Sequence, residues 1–249
     1  VYCHKIFGKC FRARSVENVM DEFRILHREH GVREFHIFDD IFNCDPERAK
    51  DICREIINSG MDIKLAFPNG VRGDRLDDEL IELLARAGTY CMNFAVETVS
   101  PRLQKMIKKN LDVEKVRENM EKAYNAGIIP ATFYMLGFPT ETPDEMRDTI
   151  EFAANTKALR AMFFSVLAYP RTELFDIVKQ YHPDYEISDK NFLNMHYWEP
   201  IYQQKDNGFE DMKKITRSAY RRFYLKPWRI LQILRMYPKN RYFFKACLL

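Results

Sequence analysis

Residues 113 to 142 read VEKVRENMEKAYNAGIIPATFYMLGFPTET, and they contain one complete repeat of the fold. Apolar residues spaced three and four apart predict a helix over Val113 to Ala126, which Gly127 ends. The apolar run Ile129 to Leu136 then predicts a buried strand. A polar loop, Gly137 to Thr142, follows the strand directly. This order of helix, strand and loop is typical of proteins built around a parallel sheet.

The same unit recurs along the chain and predicts the fold class. Predicted strands start 29, 27, 39 and 32 residues apart. They are Glu34 to Phe38, Ile63 to Phe67, Tyr90 to Val96, Ile129 to Leu136 and Ala161 to Leu167. The predicted helices are Ser15 to His30, Pro46 to Ser59, Asp77 to Ala87, Val113 to Ala126 and Pro143 to Asn155. We expect an α/β fold with a parallel sheet, doubly wound or, since the rhythm stops near Leu167, curled into an incomplete barrel.

The remainder of the chain has a different character. Residues 169–207 carry prolines and aromatic residues without a clear period, so we expect loops and a short helix there. Two further helices are predicted, Gly208 to Tyr224 and Pro227 to Tyr237. We therefore divide the chain into a partial barrel, 1–168, and a C-terminal loop and helical extension, 169–249.

Composition excludes several classes of protein. The chain has 249 residues, of which 46% are hydrophobic and 30% charged, which excludes disorder. No apolar run approaches the roughly 20 residues of a membrane-spanning helix, so we expect no transmembrane segment. Six cysteines without regular spacing favour a reducing compartment, which we take to be the cytoplasm. The chain opens on Val-Tyr-Cys rather than on Met, and we expect it to be a fragment of a longer protein.

Polar residues follow the predicted strands, and in parallel sheets these positions form one rim where ligands bind. The residues are Asp39, Asp40, Asn69, Gly70, Arg72, Glu97, Thr98, the loop 137–142 and residues 169–172. Carboxylates and glycines at one rim suit a polar ligand that carries an ammonium group and hydroxyls. Turn or capping roles are equally good explanations for Asn69, Glu141 and Thr142.

Five motifs, taken together and in this order, resemble the radical S-adenosylmethionine enzymes. They are Tyr-Cys at 2–3, Phe-Asp-Asp-Ile-Phe at 38–42, Asn-Gly-Val-Arg at 69–72, Phe-Ala-Val-Glu-Thr at 94–98 and Leu-Gly-Phe-Pro-Thr-Glu-Thr at 136–142. The resemblance implies a partial (β/α)6 TIM-like barrel that lacks its first strand, with a C-terminal helical extension. It also implies an activity: S-adenosylmethionine is cleaved reductively at a 4Fe-4S cluster to give a 5′-deoxyadenosyl radical.

The resemblance assigns the cluster only one residue of this chain. Family members hold the cluster with a C-x3-C-x2-C loop, and Cys3 matches its last cysteine. Tyr2, just before it, would line the adenine side of S-adenosylmethionine. The other two cysteines would lie before Val1, because no other cysteine has the required spacing.

Five further residues match positions where the family contacts S-adenosylmethionine. Asp40, and less directly Asp39, would accept hydrogen bonds from its ammonium group. Glu97 would contact the ribose hydroxyls or the amino acid portion, and Lys109 would meet the carboxylate. Gly137 would let the backbone pass close to the adenine.

The Arg-Arg-Phe-Tyr-Leu-Lys-Pro stretch at 221–227 resembles the branch of the family whose members carry a cobalamin-binding domain upstream. This resemblance implies methyl transfer or skeletal rearrangement at an unactivated carbon. It further implies a small-molecule or lipid-like substrate and an electron donor such as a flavodoxin or a ferredoxin. The residues 169–172 read Tyr-Pro-Arg-Thr where that branch often has Pro-Gly-Thr.

Two other functions compete with this one. A barrel enzyme of another kind could use Asp40 and Glu97 as acid and base. Alternatively, the chain could be a binding module, because residues 213–249 contain 11 Lys and Arg and no Asp or Glu, against 28 and 36 before them. Aromatic residues interleave with these basic ones, so this tail could bind RNA or make peripheral contact with an anionic membrane surface. In the simplest alternative, the aromatic residues pack against the barrel.

Overall fold

The computed structural model describes residues 11–183 and 212–237 of the chain. The helices are α1 Val16–His30, α2 Pro46–Ser59, α3 Asp78–Arg86, α4 Pro101–Met106, α5 Val113–Asn125, α6 Pro143–Asn155, α7 Glu173–Tyr181, α8 Met212–Tyr224 and α9 Pro227–Met236. The strands are β1 Glu34–His36, β2 Lys64–Val71, β3 Thr89–Glu97, β4 Ile129–Leu136 and β5 Arg160–Ser165. Short 3₁₀ turns at Phe42–Cys44 and Gly73–Arg75 follow β1 and β2.

The five strands form one parallel sheet in the order β1-β2-β3-β4-β5. Each consecutive pair is connected through a helix, as parallel pairing requires. The prediction of a partial α/β barrel is confirmed. The division at residue 168 stays a prediction.

Local signals in the sequence explain where the helices begin. The side chains of Ser15, Asp45, Asp77 and Asp112 each accept a hydrogen bond from a backbone N–H of the first turn that follows. Thr142 forms a reciprocal capping box with Glu145 at the start of α6. Each cap satisfies backbone donors that a helix end would otherwise leave unpaired. These five helices therefore start within one residue of their predicted positions, whereas the predicted start of α8 at Gly208 lies outside the described residues and α4 was not predicted.

The strand boundaries depart from the prediction. β2 continues through Asn69 and Gly70 to Val71, whereas we expected both residues to follow the strand. Proline, asparagine and glycine usually mark a turn, but here the Asn93 side chain donates to the Pro68 carbonyl at 2.6 Å and Val71 pairs with Phe94. β1 and β5 both end earlier than predicted, at His36 and Ser165.

Helix α8 covers the edge of the sheet at β5. The Tyr220 hydroxyl accepts a hydrogen bond from the Phe163 N–H at 3.2 Å. The Tyr224 hydroxyl accepts from the Ala161 N–H at 3.1 Å and lies 3.2 Å from the Ala161 carbonyl oxygen, to which it donates. These hydroxyls satisfy backbone groups that an additional strand would have paired.

Arg229 of α9 fastens this extension to the barrel. Its guanidinium is fully buried and donates to the carbonyls of Ala153, Ala154, Thr156, Ala158 and Phe223. Three of these carbonyls lie at the C-terminal end of α6, where the helix dipole favours a cation. The Phe223 ring stacks 3.6 Å from the guanidinium carbon. Burial lowers the pKa of Arg229 to about 10, so this side chain is still charged at neutral pH.

We predict that Arg229→Met lowers the free energy of unfolding by about 3 kcal/mol, because buried carbonyls lose their charged donor and gain no other. Arg235→Met is the matched control, since Arg235 is exposed on the same helix. Its effect should stay within about 0.5 kcal/mol. Urea titration followed by far-ultraviolet circular dichroism measures both values. Equal effects of the two substitutions would contradict the role assigned to Arg229.

Candidate functional site

Two of the residues that we singled out from the sequence meet at the end of β3. The Lys109 Nζ donates to Glu97 Oε1 at 3.0 Å, and the two side chains are only 13% and 11% exposed. The backbone φ of Glu97 is +68°, which lies in the left-handed region that residues other than glycine rarely adopt. Strained backbone of this kind is concentrated at functional sites. The geometry therefore selects Glu97 and Lys109 as a charged pair at the rim.

The structure also decides between the two adjacent lysines. Lys108 forms an ion pair with Glu173 of α7 on the exposed side of this turn. The backbone of Lys109 is anchored by Arg72, whose Nη1 donates to the Lys109 carbonyl at 3.2 Å. Arg72 is itself paired with Asp74 at 2.6 Å. Lys109 is therefore the lysine that faces the partly buried carboxylate.

The loop after β4 lies beside this pair, since Glu97 pairs with Tyr134 across β3 and β4. Gly137 has a φ of +87°, and its N–H donates to Glu141 Oε2 at 2.6 Å. A Cβ at Gly137 would lie 3.3 Å from the Met212 Cε of α8. The turn itself therefore accounts for glycine here, and close approach to a ligand stays a prediction.

Glu141, which sequence reasoning left as a turn or capping residue, lies in the loop after β4 and bonds to its backbone. Its carboxyl is fully buried and also accepts from the Phe138 N–H at 3.0 Å. The other oxygen, Oε1, is buried and has no hydrogen-bond partner among the described residues. Burial raises the pKa of Glu141 to about 8. An unpaired buried acceptor is costly unless a ligand or a proton satisfies it.

Asn93 is a second residue that we missed. It lies inside β3 and is 5% exposed, and its Oδ1 is buried without a partner among the described residues. A lone asparagine within the apolar run 90–96 was the available signal. Asn93, inside β3, and Glu141, in the loop after β4, thus each have one buried side-chain oxygen without a partner among the described residues.

Asp39 and Asp40 occupy a different environment. Both are exposed in the segment between β1 and the 3₁₀ turn at Phe42–Cys44. Asn69 Nδ2 donates to the Phe38 carbonyl at 2.9 Å and so anchors the residue before them. Because Asp40 is exposed while Glu97 is buried and ion-paired, the pair is poorly suited to act as acid and base together.

The described cysteines do not form a metal site. Cys44, Cys53 and Cys91 are all free, and burial raises the pKa of the Cys53 thiol to about 12. Over residues 11–183 and 212–237, no group of three His, Cys, Asp or Glu side chains could hold a metal ion. The predicted ligand Cys3 and its neighbour Tyr2 lie outside the described residues.

No helix in the part of the chain that the structure describes is long and apolar enough to cross a membrane.

We predict that Glu141→Gln changes how stability depends on pH. A carboxyl whose pKa is raised on folding favours the folded state below its unfolded pKa, near 4.5, and loses that contribution as the pH rises toward about 8. The stability of the variant relative to wild type should therefore increase between pH 5 and pH 8, by more than about 1 kcal/mol. Urea titrations across this range measure the difference.

Glu145→Gln is the control for this experiment. Hydrogen bonds from Arg102 and Ser100 outweigh burial and lower the pKa of Glu145 to about 2. Glu145 is ionised in the folded protein and largely ionised in the unfolded chain between pH 5 and pH 8, so its variant should differ from wild type by a nearly constant amount. A constant difference for Glu141→Gln as well would show that Glu141 is ionised in the folded protein.

Comparison with known proteins places the chain in a family. Residues 1–153 match the model of the Radical SAM superfamily. An uncharacterized methyltransferase of Pyrococcus horikoshii is 30% identical over 226 residues, which are 89% of this chain and 47% of that protein. The cytidylyl-2-hydroxyethylphosphonate methyltransferase of Streptomyces wedmorensis is 32% identical over 68% of this chain and 32% of its own length. The chain thus spans less than half the length of these curated relatives.

A solved structure shares the fold. The radical S-adenosylmethionine methyltransferase TsrM from Kitasatospora setae, solved with cobalamin and a 4Fe-4S cluster bound, superposes with a TM-score of 0.56. The match covers 61% of this chain and 31% of TsrM, at 23% identity. At this identity the likeness concerns the architecture of the barrel alone.

Proposed function

Because this chain belongs to the Radical SAM superfamily, we propose that it forms the S-adenosylmethionine-binding barrel of an enzyme that cleaves this molecule reductively at a 4Fe-4S cluster. The observation that carries the proposal is the Glu97–Lys109 pair, partly buried at the rim next to the Gly137 loop. Methyl transfer is the reaction that we propose, supported by the matches to two methyltransferases.

The charges of the pair suit the amino acid end of S-adenosylmethionine. That end carries an ammonium and a carboxylate, so Glu97 would accept from the first and Lys109 would donate to the second. Charge-assisted hydrogen bonds of this kind are roughly twice as strong as neutral ones. Without ligand, the 3.0 Å contact between the two side chains keeps both in position. The ligand's ammonium and carboxylate would then replace this contact with one ion pair to each side chain. Asp39 and Asp40 stay predicted partners of the ammonium group.

Two buried oxygens extend the fit, because Asn93 Oδ1 and Glu141 Oε1 have no partners among the described residues. The ligand carries hydroxyl and amine donors for Asn93 Oδ1, and a Glu141 carboxyl that keeps its proton would donate to an acceptor of the ligand. Gly137 stays our candidate for backbone contact with the adenine. The residues of this rim therefore fit S-adenosylmethionine in charge and in hydrogen-bonding capacity.

The cluster is a different case, because Cys44, Cys53 and Cys91 do not suit it. Burial raises the pKa of both Cys53 and Cys91, which disfavours the thiolates that iron requires. We keep Cys3 as the proposed ligand and Tyr2 as its neighbour on the adenine side. When bound, the cluster would supply the electron that the cleavage consumes.

The remaining partners are proposed by family resemblance. We propose a flavodoxin or ferredoxin as the electron donor, a small-molecule or lipid-like substrate, and a cytoplasmic location. Cobalamin is proposed as a further cofactor, bound outside this chain, and TsrM offers support because its structure contains both cobalamin and a cluster.

We predict that Lys109→Met and Glu97→Gln, made in the complete enzyme, each weaken S-adenosylmethionine binding roughly tenfold to a hundredfold, since each removes one charge-assisted bond. Lys108→Met is the matched control and should leave the affinity unchanged, because Lys108 pairs with exposed Glu173 instead. Anaerobic isothermal titration calorimetry measures the affinities, and circular dichroism checks the fold. Equal affinities of the Lys108 and Lys109 variants would contradict the placement of the ligand.

We further predict that the 249-residue chain retains no full cluster after anaerobic reconstitution, because the resemblance assigns it only Cys3 of the three cysteine ligands. Iron and sulfide analysis measures the cluster content. Four irons per chain with charge-transfer absorbance would show that other cysteines can complete the site.

A further inference from the structure

Helix α9 buries a charged side chain and exposes three aliphatic ones, while Trp228, Ile233 and Met236 are half-buried. Arg229 is fully buried, and Gln232 Oε1 accepts a hydrogen bond from the Tyr124 hydroxyl at 2.6 Å. On the opposite side, Ile230 is 42% exposed, Leu231 64% and Leu234 42%. A surface helix of a soluble domain normally shows the reverse pattern. The outward apolar face, which we define as Ile230, Leu231 and Leu234, therefore needs an explanation beyond the fold of this barrel.

The surroundings of this face are strongly basic. Residues 212–237 contain eight Lys and Arg and no Asp or Glu. Of these basic residues, Arg229 is used inside the fold and Arg222 pairs with Glu151. Arg217 and Arg221 of α8 and Arg235 of α9 are exposed. Leu225, which joins the two helices, is itself 62% exposed. Exposed aliphatic side chains and basic residues thus share one helical hairpin.

The choice of partner follows from where the aromatic residues lie. Single-stranded nucleic acid is bound by exposed aromatic rings on which bases stack. Here Phe223 is fully buried, and Tyr220 packs edge-on against Phe163 with ring centroids 5.3 Å apart. Tyr224 hydrogen-bonds the β5 backbone. Trp228 is half-buried, with the Arg229 guanidinium carbon 4.7 Å from its ring centroid. Within residues 212–237 the outward face is therefore aliphatic, and aliphatic residues beside arginines are typical of helices that lie in a lipid interface.

A second copy of the chain is a poorer occupant. A two-fold interface places the same surface on both partners. Two copies meeting at α9 would therefore bring their basic residues together without acidic residues from residues 212–237 to compensate. An anionic surface of lipid headgroups avoids this repulsion and attracts the same charges.

We propose that the outward apolar face of α9, with the exposed arginines of α8 and α9, docks on an anionic lipid surface. Ile230, Leu231 and Leu234 would enter the boundary between headgroups and acyl chains, while the arginines would contact the phosphates. The proposed contact uses no residue that we assign to the rim. The interaction therefore does not depend on the activity that we propose for the rim.

The test is sedimentation of the complete chain with lipid vesicles. Vesicles of phosphatidylcholine with about 30% phosphatidylserine should bind the chain at least tenfold more tightly than vesicles of phosphatidylcholine alone, and added salt should weaken the binding. The double variant Leu231→Gln/Leu234→Gln should lose at least tenfold in affinity. Its fold should persist because both side chains are exposed, and circular dichroism verifies this.

Ile25→Gln is the matched control, since Ile25 is 48% exposed on α1. It should bind vesicles as wild type does. Three results would overturn the proposal: equal affinity for neutral and anionic vesicles, full binding by the double variant, or no binding at all. Sedimentation velocity tests the alternative occupant. Self-association of the wild-type chain that the double variant abolishes would assign the face to a second copy and overturn the proposal.

Discussion

The backbone of β5 imposes the constraint on which the rest of this structure depends. Over residues 11–183 and 212–237 the parallel sheet ends at β5, which leaves N–H and C=O groups along one edge, and each such group must find a partner or face water. The fold meets this need with side chains, because Tyr220 and Tyr224 bond to Phe163 and Ala161. Since hydroxyl groups can accept and donate, one tyrosine serves both groups of Ala161. Arg229 then joins α8 to the end of α6, because it donates both to the Phe223 carbonyl and to the carbonyls of Ala154 and Thr156.

Helix α8, which covers the β5 edge, also lies beside the rim that the strand ends form. All five strands run in the same direction, so their carboxyl ends are collected at one side of the sheet. The central strands β3 and β4 bring Glu97 close to the loop that contains Gly137 and Glu141. α8 contributes Met212, which packs against that loop beside Gly137. The extension that covers the β5 edge therefore also supports one wall of the candidate site.

The sequence predicted what is encoded locally. Helix starts follow from capping residues such as Asp45, and the strands follow from apolar runs, so the parallel fold was predictable. Contacts between distant residues were not. Pro68 to Gly70 resembles a turn, yet the Asn93 side chain holds Pro68 within β2. Glu97 and Lys109 could be proposed separately by resemblance, but their contact depends on a left-handed φ at Glu97 and on Arg72, 37 residues away from Lys109.

The same limit explains why the basic, aromatic end of the chain was ambiguous. Alternating aromatic and basic residues predict a stacking surface and a packed helix equally well, because composition does not say which side chains face inward. The structure distinguishes the two alternatives for the described residues, because the rings of α8 face β5, whereas Ile230, Leu231 and Leu234 of α9 face outward. Arg229 makes this arrangement possible, since its five backbone acceptors satisfy a charged side chain on the inner face of α9. A charged residue thus occupies the centre of the inner face while aliphatic residues lie outside, so the hydrogen bonds that attach α9 to the partial barrel and the exposed surface belong to one arrangement.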